Sequence, residues 1–199
     1  MENQLVIFDL GGVLVKNQGC QKIITWSSRK MTINEFNDLW IKSKTVREFE
    51  KGIISAKMFT DQLITEFNLV ISPEELILEF TNFLIGFYEG TEVFLKELSK
   101  KYTLATLSNT NSIHWKRITT VFNLNKYIPN NFPSHITGFV KPDRNAYENI
   151  LKKMKSEPDQ VIFFDDNIHN INTAKEIVMK SHQVDGISEV IDIYRKNYA

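Results

Sequence analysis

The stretch Leu5-Val6-Ile7-Phe8-Asp9-Leu10-Gly11-Gly12 sets four apolar residues directly against a carboxylate and a pair of glycines. A short unbroken apolar run, partly β-branched and stopped by a glycine turn, reads as a buried strand. Two later runs repeat the form. Residues 102–107 end at Ser108-Asn109, and Val161-Ile162-Phe163-Phe164 ends at Asp165-Asp166. Continuous rather than alternating apolar strands suit a parallel sheet covered on both faces. Helical spacing lies between them, at residues 92–98, 143–154 and 168–179. In the second of these, Ala146, Ile150, Leu151 and Met154 share a face, and Lys152 and Lys153 stand where cations complement the helix dipole. Alternation of strand and helix from about residue 90 onward predicts an α/β fold with a doubly wound, Rossmann-like parallel sheet.

Residues 16–88 interrupt that alternation and read as helical throughout. Thr32-x-x-Glu35 and Ser72-Pro73-Glu74-Glu75 are capping-box patterns, the second with proline at the first helical position. Phe59, Leu63 and Phe67 recur at four-residue steps, and Leu76, Phe80, Phe83 and Phe87 at four and three. Such stripes are expected to pack helix against helix. The expected organisation is therefore a core of residues 1–15 and 89–199 with a small helical bundle, 16–88, inserted after the first strand.

Composition excludes some functions. Lys plus Arg and Asp plus Glu each number 24, so the formal charge is zero and no basic excess attracts nucleic acid or anionic lipid. The single cysteine, Cys20, has no partner for an intrachain disulfide or a zinc site, and reads as an inert thiol. Asp9 breaks the first apolar run, which is no signal peptide, and no segment approaches the ~20 apolar residues that span a bilayer. A soluble cytoplasmic protein without nucleic-acid or membrane partners is expected. Monomer and homodimer stay equally open.

In a parallel sheet, ligands bind at the carboxyl ends of the strands. Asp9, Ser108, Asn109, Asp165 and Asp166 stand there. Two unit charges ~4 Å apart repel by ~4 kcal/mol at an effective dielectric near 20. Converging carboxylates therefore call for a hard cation with oxygen ligands, and magnesium fits, since it takes a few carboxylates and a phosphate oxygen while keeping waters.

Asp9-Leu10-Gly11-Gly12-Val13, Ser108-Asn109-Thr110, Lys141-Pro142-Asp143 and Phe164-Asp165-Asp166-x-x-x-Asn170 resemble, in order, the four motifs of the haloacid dehalogenase superfamily. The resemblance covers nearly the whole chain, including an insertion where that superfamily carries a cap. Leu107-Ser108-Asn109-Thr110-Asn111, Phe163-Phe164-Asp165-Asp166-Asn167 and Glu50-Lys51-Gly52-Ile53-Ile54-Ser55 narrow it toward the branch containing α-D-glucose-1-phosphate phosphatases. It implies a magnesium-dependent phosphatase acting on a small phosphate ester. Asp9 would be the nucleophile, forming an aspartyl-phosphate. Ser108 and the Asn109 amide would hold the phosphoryl oxygens, and Lys141 would neutralise them. Asp9, the Gly11 carbonyl and Asp166 would ligate magnesium, with Asp165 supporting them and Asn170 orienting Asp166.

One position departs from the pattern. Most phosphatases of the superfamily carry a second Asp two residues after the nucleophile, as proton donor and then base; here that residue is Gly11. Such help is typically worth 10²–10⁴-fold. Either another group supplies the proton, or the leaving group needs less help, as the acidic anomeric hydroxyl of a sugar 1-phosphate would. His114, just past the Ser108 loop, and His169, inside the fourth motif, are the candidate proton donors, and each is expected rather as a surface imidazole; His135 and His182 have no motif context. Two other readings stand beside the phosphatase: a metal-independent 2-haloacid dehalogenase, and an inactive binding module of the same fold.

Overall fold

The computed structural model describes residues 4–199, without the side chains of Cys20 and Gln21. The expectations placed on residues 1–3 and on the Cys20 thiol lie outside the described residues. In chain order the elements begin with β1 (Leu5–Phe8), β2 (Val15–Asn17), α1 (Gly19–Trp26), α2 (Ile33–Lys42), α3 (Lys44–Glu50), α4 (Ala56–Phe67), α5 (Pro73–Thr81) and β3 (Leu84–Phe87). There follow α6 (Thr91–Leu98), β4 (Thr103–Ser108), α7 (Ser112–Thr120), β5 (Asn130–Pro133), α8 (Ser134–Thr137) and α9 (Arg144–Met154). The chain closes with β6 (Val161–Asp165), α10 (Ile168–Glu176), β7 (Lys180–Gln183) and α11 (Gly186–Asn197).

Five strands form a parallel sheet in the order β5-β4-β1-β6-β7. Successive side chains of a strand point to opposite faces, and the sequence uses both. Val6, Phe8, Leu104, Ile162 and Phe164 pack with Leu95 of α6, Ile118 of α7 and Val190 of α11. Leu5, Ile7, Leu107, Val161 and Phe163 pack with Tyr147 and Ile150 of α9 and Ile171 of α10. Helices thus cover both faces, giving the doubly wound architecture. Phe8 pairs with both Thr106 and Phe164, so the three central strands end at one level.

Helices α1–α5 close on a third cluster of their own. Phe36, Phe49, Phe59, Leu63, Phe67, Leu76 and Phe80 are buried there, with Phe49 and Phe59 stacked at 4.2 Å between centroids. Both anticipated capping boxes form, on Thr32–Glu35 and Ser72–Glu75. Residues 16–88 are not helical throughout, however. α5 stops at Thr81, where Asn82 folds back to donate to the Leu78 carbonyl. Phe83 still packs on the bundle, but Phe87 lies in β3, which pairs antiparallel with β2. This two-stranded ribbon joins the bundle to the sheet.

The bundle also rests on the core directly. Arg47 pairs with Asp143 at 2.6 Å, and Gly52 sits so close to the His135 carbonyl that a Cβ there would collide with it. Gly52 also has φ +71, a left-handed conformation that favours glycine. None of the described helices is long and apolar enough to cross a membrane.

Candidate active site

Asp9 follows β1 directly, with its N–H donating to the Phe164 carbonyl at 2.9 Å, so the carboxylate is fixed at the sheet's carboxyl edge. Asp165 ends β6, Asp166 follows it, and Ser108 ends β4. Lys141 arrives on the loop before α9. Asn109 holds that loop reciprocally: its Nδ2 donates to the Lys141 carbonyl at 2.8 Å, and the Lys141 N–H donates back to Oδ1 at 2.8 Å. The Lys141 ammonium is thereby aimed between two carboxylates. It donates to Asp165 Oδ2 at 2.5 Å and lies 2.9 Å from Asp9 Oδ1.

Asp165 is buried and saturated. Beyond Lys141 it accepts from the Asn167 N–H at 2.8 Å and from Asn170 Nδ2 at 2.9 and 3.1 Å. This corrects the role expected of Asn170, which orients Asp165 and not Asp166. Asn167 caps α10 through the His169 N–H, and the chain reversal there puts the helix's first turn over the strand residue. The Asn109 side chain is likewise committed, to Lys141, so any hold it has on an anion falls to its backbone N–H. The Ser108 hydroxyl makes no hydrogen bond among the described residues and is buried beside the site.

Three carboxylates offer oxygens within 4.8 Å of one another, at Asp9, Asp165 and Asp166. With one ammonium among them the local charge is −3 + 1 = −2 when all are ionised. Burial pushes the Asp9 carboxyl up, with Asp165 adding repulsion against the attraction of Lys141. Asp166 keeps an open side, yet is pushed up to about 7 by desolvation and by repulsion from Asp9 and Asp165. For Lys141, burial opposes the charge but Asp165 and Asp9 outweigh it, and the ammonium is held above its ordinary range. Asp9 Oδ1 is buried and, although Lys141 is near, receives no aligned hydrogen bond. A buried carboxylate cluster whose negative charge exceeds that of its one ammonium is the environment a hard divalent cation relieves.

The glycines after Asp9 divide their work. Gly12 has φ +75, and a Cβ there would strike the Asp166 carboxylate, so its absence lets that group approach. A Cβ on Gly11 would meet nothing within 4 Å. The Gly11 carbonyl accepts no hydrogen bond among the described residues, whereas that of Leu10 accepts from Val13, Leu14 and Val15.

Two clefts reach this cluster. One, about 620 Å³, opens along Asp9, Gly11, Gly12, Asp166 and Asp185. The other, about 200 Å³, lies under the bundle between Trp40, Arg47 and Glu50 on one side and Asn109, Lys141 and Asn170 on the other. A smaller cavity of about 110 Å³ shares Glu50 and Asn109 and is closed by Phe80, Phe83 and His114. Trp40, Arg47 and Glu50 were not singled out as site residues by sequence. Glu50 did stand in a quoted motif, but its direction is not written in one dimension. Burial, with Asp9 repulsion added and Lys141 and Arg47 opposing, pushes its carboxyl up to about 7.

His114 is not a surface imidazole. It is buried, stacks on Phe80 at 4.2 Å, and its Nε2 donates to the Phe80 carbonyl at 2.7 Å. Burial holds it down to about 4, so it is neutral and ties the bundle to the core. His169 is exposed, as expected.

A parallel sheet carries an aspartate directly after β1, a lysine bridging it to an acidic pair after β6, and a serine ending β4. Residues 4–177 match the haloacid dehalogenase-like hydrolase family, and the chain belongs to it. A D-ribitol-5-phosphate phosphatase of Bacteroides thetaiotaomicron is 26% identical over 195 residues, covering 89% of this chain and 90% of its own length. A sesquiterpene phosphatase of Aspergillus oryzae, astK, is 25% identical over 191 residues, covering 94% and 93%. A haloacid dehalogenase family enzyme of B. thetaiotaomicron, solved with magnesium and inorganic phosphate, superposes with a TM-score of 0.74 at 22% identity, covering 91% and 93%.

Proposed function

We propose that this protein is a magnesium-dependent phosphatase that hydrolyses a small phosphate ester through an aspartyl-phosphate on Asp9. The observation that carries the reading is the Asp9 carboxylate itself. It is anchored at the sheet edge, buried, held 2.9 Å from Lys141 and within reach of the Asp165 and Asp166 carboxylates. Asp9, the Gly11 carbonyl and Asp166 would hold magnesium, which when bound supplies charge neutralisation for the cluster and the phosphoryl oxygens. Ser108 and the Asn109 backbone N–H are the donors placed for a phosphoryl group, and Lys141 balances its charge. Asp165 and Asn170 keep Lys141 aimed. The relatives named as phosphatases support the reaction class. A dehalogenase would leave the acidic pair without work.

The substrate read from the site is a sugar phosphate, such as a sugar 1-phosphate. Arg47, Glu50, Asn109, Asn167 and Asn170 line the cavity of about 200 Å³ beside Trp40, a polar wall suited to hydroxyl groups. An anomeric leaving oxygen is more acidic than an ordinary alcohol and asks less of a proton donor. Magnesium-dependent phosphate release across a panel of sugar phosphates, with Asp9→Asn in parallel, tests both parts. Turnover abolished by EDTA and by the variant is expected, with glucose 1-phosphate ahead of glucose 6-phosphate. No release from any member would overturn the phosphatase reading, and equal or reversed preference the 1-phosphate part.

A further inference from the structure

We propose that Glu50, on the inserted bundle, performs the proton transfers that Gly11 cannot, protonating the leaving oxygen and then activating water. The inference rests on the phosphatase reading above.

Placement carries it. In-line displacement puts the leaving oxygen on the side of phosphorus away from the attacking carboxylate. Asp9 rises from the sheet edge, so that side faces the bundle. Glu50 is the last residue of α3 and lines both cavities that lie between the bundle and Asn109. Lys141 stands on the opposite wall of the larger one. The position is fixed from two sides, by the Arg47–Asp143 pair one turn earlier and by Gly52 seated on the His135 carbonyl.

Glu50 is also uncommitted. Its carboxyl accepts no hydrogen bond and forms no ion pair within 4 Å among the described residues, whereas Asp165 is saturated. A half-buried carboxyl at a cavity wall without a partner is a poor structural element and a usable acid. The charged groups facing it are Lys141 and Arg47, which favour its ionised form, and Asp9, which opposes it. His114, across the smaller cavity, is neutral. Desolvation prevails, and the carboxyl is pushed up to about 7.

The steps balance. Asp9 attacks phosphorus, the bond from phosphorus to the leaving oxygen breaks, and the Glu50 proton passes to that oxygen, giving an alcohol and a Glu50 carboxylate. Water then attacks phosphorus from the same side, its proton returns to Glu50, and the bond to Asp9 breaks to release phosphate.

The test compares Glu50→Gln with wild type on 4-nitrophenyl phosphate, whose leaving group needs no proton, and on primary-alcohol sugar phosphates. On the sugar phosphates a fall in kcat/KM of roughly 10²–10³-fold is expected, with loss of the alkaline limb expected of wild type. On 4-nitrophenyl phosphate the variant should release its first equivalent of nitrophenolate at near the wild-type rate and then stall, trapping the phosphoryl-enzyme. Gly11→Asp, whose side chain enters open space, should restore part of the sugar phosphate activity of the Glu50→Gln variant. Equal falls in kcat/KM on both substrate classes with no nitrophenolate burst and an unchanged pH profile, or no loss at all, would overturn the role of Glu50. A wild-type protein whose turnover survives EDTA or Asp9→Asn would instead overturn the phosphatase reading beneath it.

Discussion

The sheet edge and the helical bundle present polar groups to the same space in opposite conditions. At the sheet edge the groups saturate one another: Asp165 accepts from Lys141, Asn167 and Asn170, and Asn109 clamps the Lys141 backbone from both sides. On the bundle, Glu50 faces the cavity with no partner, beside Trp40. A group held by several hydrogen bonds keeps its geometry through a reaction, while an unpaired one is free to exchange a proton. The chain thus divides positioning from proton transfer between two pieces with separate apolar cores. Substitutions on each side should break different things.

The largest effect is expected from Lys141→Met. It leaves the buried carboxylates of Asp9 and Asp165 facing each other without their cation. Removing one partner of a buried ion pair costs about 3–5 kcal/mol, so the urea midpoint at neutral pH should fall steeply and phosphate release should vanish. The loss of stability should shrink as pH is lowered and the freed carboxylates protonate.

Next in size is the contrast of Phe59→Ala with Phe163→Ala. Either cavity costs about 3–5 kcal/mol locally. If the bundle's cluster is its own unit, Phe59→Ala should speed amide exchange across residues 19–81 while the sheet keeps its protection. Phe163→Ala, between β1 and α9, should lower the protection of the whole sheet. Uniform loss in both variants would merge the two regions into one cooperative unit.

The smallest is a pH effect at Glu50. Its folded value of about 7 lies above the ordinary 4.5. Stability associated with the protonated form is therefore complete below about pH 4.5 and is lost as pH rises through about 7. Gln carries no such loss. Glu50→Gln should match wild type near pH 4.5 and exceed it above pH 7, by up to about 3 kcal/mol, in chemical denaturation. A variant no more stable at pH 8 than wild type would place the carboxyl in solvent.

The division between regions also marks what a reader of the sequence can see. The three central strands and the charged residues at their ends were legible because strands buried on both faces carry an unbroken apolar run. The edge strands were not: Asn130-Asn131-Phe132-Pro133 and Lys180-Ser181-His182-Gln183 are polar because one side of an edge faces less protein. Phe87 continued a helical spacing, yet its partner is Val15, more than seventy residues away, and only pairing at that range makes it a strand. Asn170 was placed on the right turn of the helix, but toward the wrong carboxylate, because Asn167 sets where that turn lies over the strand. Glu50 and Arg47 stood in plain view without a direction, since a charge facing a cavity and one facing water look alike in one dimension.

The β2–β3 ribbon has a consequence for inheritance. The chain leaves the ribbon for the bundle after β2 and returns to it in β3, where Val15 and Phe87 stand directly opposite each other and the Tyr88 N–H donates to the Leu14 carbonyl at 3.0 Å. A segment whose ends already touch adds little closure cost whatever its length. Segments between them that do not touch the core can change in length without altering how the sheet holds Asp9 and Asp165. What the protein accepts as substrate can therefore change in a lineage with little effect on the sheet, with Gly11 and Glu50 as a pair of positions to be read together across that seam.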